Sequence, residues 1–195
     1  MKKIGLLIIC LFISFININK LDAKIEYKDL KDTLKDEGIT PLFTKVSEDK
    51  NKVMVDYFYN TKDSKSLKFL NFINENYKEY GDLFELRCYE VSDNTDNLKL
   101  MYNIVDFLKE SYIEAPFIIL GETYFVTFND ELEENFIKAI QQNYVKELSE
   151  RVSIIDQVKV KYYRNETLMV GITIGLFFLV IAGIIYATIT NKKAN

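Results

Sequence analysis

A hairpin-like stretch between Pro116 and Phe128 constrains the fold more than any other part of the sequence. Phe117–Leu120 is an apolar run of the length of a buried strand, Gly121–Glu122 is a turn signal, and Thr123–Phe128 is rich in aromatic and β-branched residues. Pro116 lies where a strand would begin, a position that needs no N–H for the sheet. X-Pro bonds are the ones that adopt the cis form at a useful frequency, so Ala115–Pro116 is a candidate cis bond. The stretch predicts a β-hairpin with proline at its mouth.

The patterns before and after this hairpin alternate between strand and helix. Val53–Tyr59 and Phe84–Val91 have the composition of strands, and Ser66–Tyr80 and Leu98–Leu108 repeat apolar residues with helical period. A last helix begins at Asn129–Asp130 and runs to about residue 147. The resulting order, β-α-β-α-β-β-α, predicts an α/β fold with a mixed sheet and helices on both faces over residues 50–147.

Residues 24–49 precede this domain. Lys24–Gly38 has apolar residues at roughly helical spacing and a glycine where a helix would end, which predicts a short amphipathic helix. Pro41–Val46 is a candidate for a short edge strand.

Both ends of the chain are apolar. Lys2 and Lys3 precede the uncharged run Ile4–Ile16, and the pattern up to Ala23 is typical of a signal peptide spanning residues 1–23. We expect cleavage after Ala23, with an uncleaved anchor as the alternative. Leu168–Ile189 contains no charged residue, and at about 1.5 Å per residue it is long enough for a transmembrane helix.

These two segments predict a single-pass, type I membrane protein. Its domain would lie outside the cytoplasm, residues 148–167 would form a juxtamembrane linker and residues 190–195 a cytoplasmic tail. The short start Met1–Lys3 favours a bacterial cell membrane, whereas Lys192 and Lys193 leave the endoplasmic reticulum membrane, with a lumenal domain, as the alternative. Gly171 and Gly175 permit close helix contact, so a dimer through this segment is a further hypothesis.

The composition excludes several kinds of chemistry. The 195 residues include no histidine, which excludes His-metal sites and Ser/His or Cys/His catalysis. The formal net charge is −4, and no basic face for nucleic acid is apparent. Cys88 is the one cysteine that remains after signal removal, so we expect no intrachain disulfide. Neither a cofactor nor a metal is predicted.

Three motifs together resemble the thioredoxin fold, over roughly residues 50–147. They are Phe58–Thr61 at the end of the first strand, Tyr89–Ser92 at the end of the second, and Pro116–Val126 in the hairpin. The chain looks most like small extracytoplasmic thioredoxin-like proteins of low-GC bacteria. The resemblance implies a cis-proline loop at Ala115 and Pro116 whose backbone pairs with an extended polypeptide. It also places Asp56 at a strand position that often carries a buried acid in such folds.

The chain departs from the family at the chemistry. The two cysteines of the family's C-x-x-C motif align with Asp63 and Ser66, in the segment Asp63-Ser64-Lys65-Ser66. Thiol–disulfide exchange needs an attacking thiolate and a resolving thiol, and neither a carboxylate nor a hydroxyl can replace them. We therefore interpret this as a degenerate active site in which Asp63 or Ser64 caps the following helix.

Three functions remain open at this stage. The favoured hypothesis is a redox-inactive, non-catalytic module that binds exported or membrane proteins, or acts as a chaperone, through the surface around Pro116. A second is an oxidoreductase-related protein acting through Cys88 alone, although a lone mid-strand cysteine behaves mostly as a small buried apolar residue. A third is a structural subunit of a membrane complex.

Overall fold

The computed structural model describes residues 25–45, 49 and 51–193, without the side chains of residues 162–170, 187–188 and 191–193. The predicted signal peptide, residues 1–23, lies outside the described residues. Along the chain the elements are α1 (Leu30–Asp36), β1 (Val53–Tyr59), α2 (Ser64–Tyr80), β2 (Phe84–Glu90), α3 (Thr95–Leu108), β3 (Phe117–Leu120), β4 (Thr123–Val126), α4 (Asp130–Tyr144), a 3-10 turn (Leu148–Glu150) and α5 (Ile154–Lys193). The order from β1 to α4 is the predicted one.

The four strands form one mixed sheet in the order β2-β1-β3-β4. β1 and β2 are parallel, whereas β1–β3 and β3–β4 are antiparallel. The β3–β4 turn has Gly121 at its first position with φ 63°, a backbone conformation that glycine adopts without steric cost. The structure is therefore an α/β fold with a mixed sheet flanked by helices, an arrangement compatible with a thioredoxin-like fold.

The sheet separates two apolar cores because successive side chains of a strand point to opposite faces. Face A carries Val55, Tyr57 and Tyr59 of β1 and is covered by α1, α2 and α4. Face B carries Phe58 and is covered by α3 and by the start of α5. β1 is thus apolar on both faces, as an interior strand is.

The segment 148–167 differs from the predicted linker. After the 3-10 turn, the chain enters α5 at Ile154, and Ile154, Ile155 and Val158 are buried in the core of face B. The backbone N–H of Ile154 also donates a hydrogen bond to the carbonyl of Gly121, at 3.3 Å. The apolar stripe formed by these three residues is short and is interrupted by the polar residues Asp156 and Gln157, so the local pattern did not indicate a core helix.

The predicted transmembrane segment, residues 168–189, lies within α5. Its side chains at 168–170 and 187–188 are outside the described part of the chain. A search of the described residues finds no helix that is both long and apolar enough to span a membrane. The transmembrane part of the prediction is therefore not confirmed.

The N-terminal region also differs from its prediction. α1 covers only the second half of the predicted helix; Asp29 caps it by accepting a hydrogen bond from the backbone N–H of Asp32. Residues 41–45 contain no strand. There the backbone N–H of Leu42 is satisfied by the side-chain oxygen of Asn74, at 2.9 Å, and Phe43 stacks on Tyr77 with the ring centroids 3.9 Å apart. Side-chain packing against α2 thus replaces the edge strand that β propensity suggested.

Candidate functional site at one edge of the sheet

The strand register brings the predicted site residues to one edge of the sheet. Phe58 lies opposite Phe117 and Tyr59 lies opposite Glu90, so β1 and β2 end where β3 begins. Pro116 directly precedes β3 and is buried, whereas Ala115 is half-buried. The Ala115–Pro116 peptide bond is cis. The proline loop, just before β3, and the loop from β1 to α2 therefore lie at the same edge of the sheet.

The start of α2 is closed by the carboxylate of Asp63. Its Oδ2 accepts hydrogen bonds from the backbone N–H of Ser66, at 2.9 Å, and from the Ser66 hydroxyl, at 3.1 Å. Asp63 is thus the cap, and Ser64 is not. An anion at a helix N-terminus is favoured by the unpaired N–H groups and by the helix dipole. The position that would favour a thiolate in a redox protein is occupied by the side chain of Asp63.

Of the other three residues in the segment from Asp63 to Ser66, Ser66 is fully buried and Ser64 and Lys65 are exposed. The Ser66 hydroxyl accepts a hydrogen bond from the backbone N–H of Asn60, at 3.2 Å, and the Ser66 carbonyl accepts one from the Tyr57 hydroxyl, at 2.7 Å. Ser66 therefore joins β1 to α2 and has a structural role. Ser64 and Lys65 are the residues of this segment most accessible to a partner, because Asp63 is half-buried.

The residue directly after β4, the strand that faces the proline loop, has a strained backbone. Thr127 has φ 66°, a conformation that is uncommon for a β-branched side chain. Its backbone N–H donates a hydrogen bond to the carbonyl of Pro116, at 2.9 Å. The left-handed conformation of Thr127 ends β4 at Val126, whereas the sequence predicted a strand to Phe128. The prediction was too long because β propensity carries no information about a left-handed residue. Residues in such conformations cluster at functional sites.

Asp56 lies inside the sheet, away from the edge. It is 2% exposed, and Arg87, its neighbour in the β1–β2 register, donates hydrogen bonds from Nε and Nη2 to its two oxygens, at 2.6 and 2.7 Å. Burial raises the pKa of the Asp56 carboxyl, and the hydrogen bonds from Arg87 oppose that rise. The predicted buried acid is thus one half of a bidentate ion pair. Its partner is 31 residues away in the chain, a pairing that only the register reveals.

Cys88 is on the opposite face from Arg87, packed in the core of face A with Phe84 and Leu86. Its side chain is 1% exposed, and burial raises the pKa of the thiol to about 12. A thiol is nucleophilic as the thiolate, which this environment disfavours. The geometry agrees with an inert buried residue rather than with a reactive thiol.

Glu90 is a residue of this edge that sequence reasoning missed. Its carboxylate accepts hydrogen bonds from the backbone N–H groups of Asp93 and Asn94, both at 3.0 Å, and from Ser92. The Ser92 hydroxyl lies 3.2 Å from that of Thr61, which links the loops after β2 and β1. A glutamate before a run of loop residues with free N–H groups is the available signal, but it is a weak one. Among the described residues, no cluster of three cysteines or acidic residues could hold a metal ion.

No protein-family model matches the chain, and searches of curated proteins and of solved structures also find no match.

Proposed function

We propose that this protein is a thioredoxin-like binding module that has lost redox chemistry and holds extended segments of other exported or membrane proteins. The observation that carries the proposal is the capped start of α2. The carboxylate of Asp63, which aligns with one of the family's cysteines, accepts hydrogen bonds from the backbone N–H and the hydroxyl of Ser66, which aligns with the other. The proline loop before β3 lies at the same end of the sheet. Strand addition at such a loop uses backbone groups and needs no thiol.

The loss of redox activity has a direct test. Purified full-length protein should not accelerate insulin reduction by dithiothreitol, and the Asp63→Cys, Ser66→Cys double variant should show a new thiol with a lowered pKa, because the helix N-terminus stabilises the anion. Reduction by the wild type that disappears in Cys88→Ser would favour the alternative of an oxidoreductase acting through Cys88. The burial of Cys88 and the raised pKa of its thiol argue against that alternative.

Binding is tested by site-specific photocrosslinking. A photoreactive amino acid at Lys65, an exposed residue in the first turn of α2, should label a reduced, denatured model polypeptide. The same group at Lys138, an exposed residue of α4, is the control. Equal labelling at both positions, or none at Lys65, would refute binding at this edge.

We also propose that α5 anchors the protein in a membrane, with the domain outside the cytoplasm. The support is the uncharged sequence from Leu168 to Ile189 and the exposure of large apolar side chains along this helix, among them Ile172, Leu179 and Tyr186. The full-length protein should stay in the membrane pellet after alkaline extraction. The double variant Leu179→Lys, Val180→Lys should be released, because lysine at the centre of a span is costly. Wild-type protein in the supernatant would exclude the anchor and leave the binding proposal intact.

A further inference from the structure

The outer edge of β2, at the opposite side of the strand from β1, is covered by residues 25–28, which we call the strap. Lys28 and Cys88 exchange two backbone hydrogen bonds, at 3.0 and 2.9 Å, in an isolated antiparallel bridge. This is the geometry of an added edge strand, reduced to one residue pair. The strap itself is largely exposed; Tyr27 is 53% exposed.

A buried asparagine holds the other end of the strap by its backbone. Asn97 of α3 is 1% exposed, and its side-chain oxygen accepts a hydrogen bond from the N–H of Glu26, at 3.2 Å. Its Nδ2 donates to the carbonyl of Glu26, at 2.8 Å, and to the carbonyl of Glu90 in β2, at 2.9 Å. The side-chain amide of Asn97 therefore binds both the N–H and the carbonyl of Glu26 and links this residue to β2. Such a contact recognises an extended backbone and not a particular side chain.

The strap does not fill the space around it. A pocket of about 480 Å³ lies between the strap and the edge, lined also by Tyr59, Glu90 and Asn94. Lys28 binds Asp36 at 2.5 Å, and this hydrogen bond raises the pKa of its ammonium, with further support from Asp32 and Glu90. The surroundings of the bridge residue are thus acidic and favour a cation there.

We propose that the outer edge of β2, with Asn97, is a binding site for an extended polypeptide, which the chain's own strap occupies in this structure. The incoming segment takes the place of the strap by strand addition. It carries a basic residue two positions after the residue whose backbone Asn97 binds, because that residue replaces Lys28 beside Asp36. This site is distinct from the proline loop, on which the proposed function rests.

The test keeps the full-length chain and removes the strap's donors. Glu26→Pro with Lys28→Pro deletes the two N–H groups that bind Asn97 and Cys88, so the edge becomes available. The probe is a fluorescent synthetic peptide of residues 24–29, measured by anisotropy. The double proline variant should bind it at least tenfold more tightly than the wild type. Adding Asn97→Ala should weaken binding at least tenfold, while Asn76→Ala, which removes a similar asparagine that bonds only its own helix, should leave it unchanged.

The charge preference is tested with a second peptide that has glutamate in place of Lys28, which should bind several-fold more weakly to the same variant. No binding by a folded double proline variant, or equal binding of the two peptides, would overturn the proposal.

A measurement on the wild type covers the case in which the proline variant does not fold. Excess peptide should accelerate amide hydrogen exchange at Glu26 and Lys28, since displacement frees both N–H groups. Unchanged exchange at saturating peptide would likewise overturn the proposal. A dimer that forms without peptide and keeps this protection would identify the strap of a second copy as the occupant and contradict binding of a separate segment.

Discussion

The two faces of the sheet differ in the interactions that close their cores. Face A is closed by stacked and edge-to-face aromatic rings, with Phe69 in contact with Tyr57, Phe128 and Phe136 at centroid distances of 4.6 to 5.3 Å. Face B also stacks aromatic rings, with Phe58 and Tyr89 at a centroid distance of 4.8 Å, but it contains in addition the buried Asp56–Arg87 ion pair. It is completed by a helix outside the predicted domain. Both faces arise from the same strands, because neighbouring residues point in opposite directions.

The difference has an energetic consequence. Aromatic contacts of face A add to the hydrophobic effect, and each pair contributes about 0.5–1.5 kcal/mol beyond its burial. A buried ion pair is less forgiving, because each partner left alone is an uncompensated charge in the core. We therefore expect face B to be the more sensitive to single polar substitutions, and the following predictions test this contrast.

The largest effect should come from breaking the ion pair of face B. Arg87→Ala leaves the Asp56 carboxylate buried without its two donors and should lower the free energy of unfolding by about 3–5 kcal/mol. The side chains of Arg87 and Asp56 are 14% and 3% exposed, so solvent screening is small. Urea denaturation followed by circular dichroism measures the change. As a control, Lys138→Ala removes an exposed ion pair with Glu134 and should have little effect.

A double-mutant cycle identifies the cause of that loss. Asp56→Leu with Arg87→Met should recover most of the stability, because an apolar pair of similar volume has no desolvation cost. If the double variant is as unstable as the sum of the single variants, the two residues do not act as a pair.

The second effect tests whether α5 belongs to the domain. Ile155 is fully buried in face B, and Ile155→Ala should cost about 2–5 kcal/mol through lost burial and a residual cavity. Val160→Ala on the same helix is the matched control, since Val160 is 67% exposed. Equal and small changes in the denaturation midpoints of both variants would mean that the first turns of α5 do not close this core.

The sequence predicted face A better than face B for a physical reason. β1, α2 and α4 carry long apolar repeats whose period is visible locally, and the capping role of Asp63 follows from its position before such a repeat. The Arg87 partner of Asp56 depends on the register of two strands, which no local pattern encodes. The strap residue Lys28 was predicted to be helical. The prediction was wrong because the pairing of Lys28 with Cys88 is likewise a tertiary contact, which no local pattern encodes.

Cys88 offers a pH test of face A. The folded pKa of its thiol is about 12, above the ordinary value of about 8.5 for an unfolded chain. The stability that protonated Cys88 contributes is therefore complete below pH 8.5 and is lost as the pH rises towards 12. Relative to Cys88→Ala, the wild type should lose about 1.4 kcal/mol more per pH unit between about pH 9 and 11. Parallel pH profiles of stability would mean that the thiol ionises as easily in the folded state, as a reactive cysteine would.

The smallest effect separates the two capping candidates of α2, the helix that covers face A. Asp63→Ala removes the oxygen that accepts from the Ser66 N–H and should lower the free energy of unfolding by about 1 kcal/mol. Asp63→Asn keeps an oxygen in place and should restore most of that loss, whereas Ser64→Ala should change little because Ser64 is exposed and makes no cap. A loss confined to Ser64→Ala would place the helix start one residue later and shift the alignment with the family's thiols. The two cysteines introduced to test for a lowered thiol pKa would then belong at different positions, so this small stability difference also decides where they are placed.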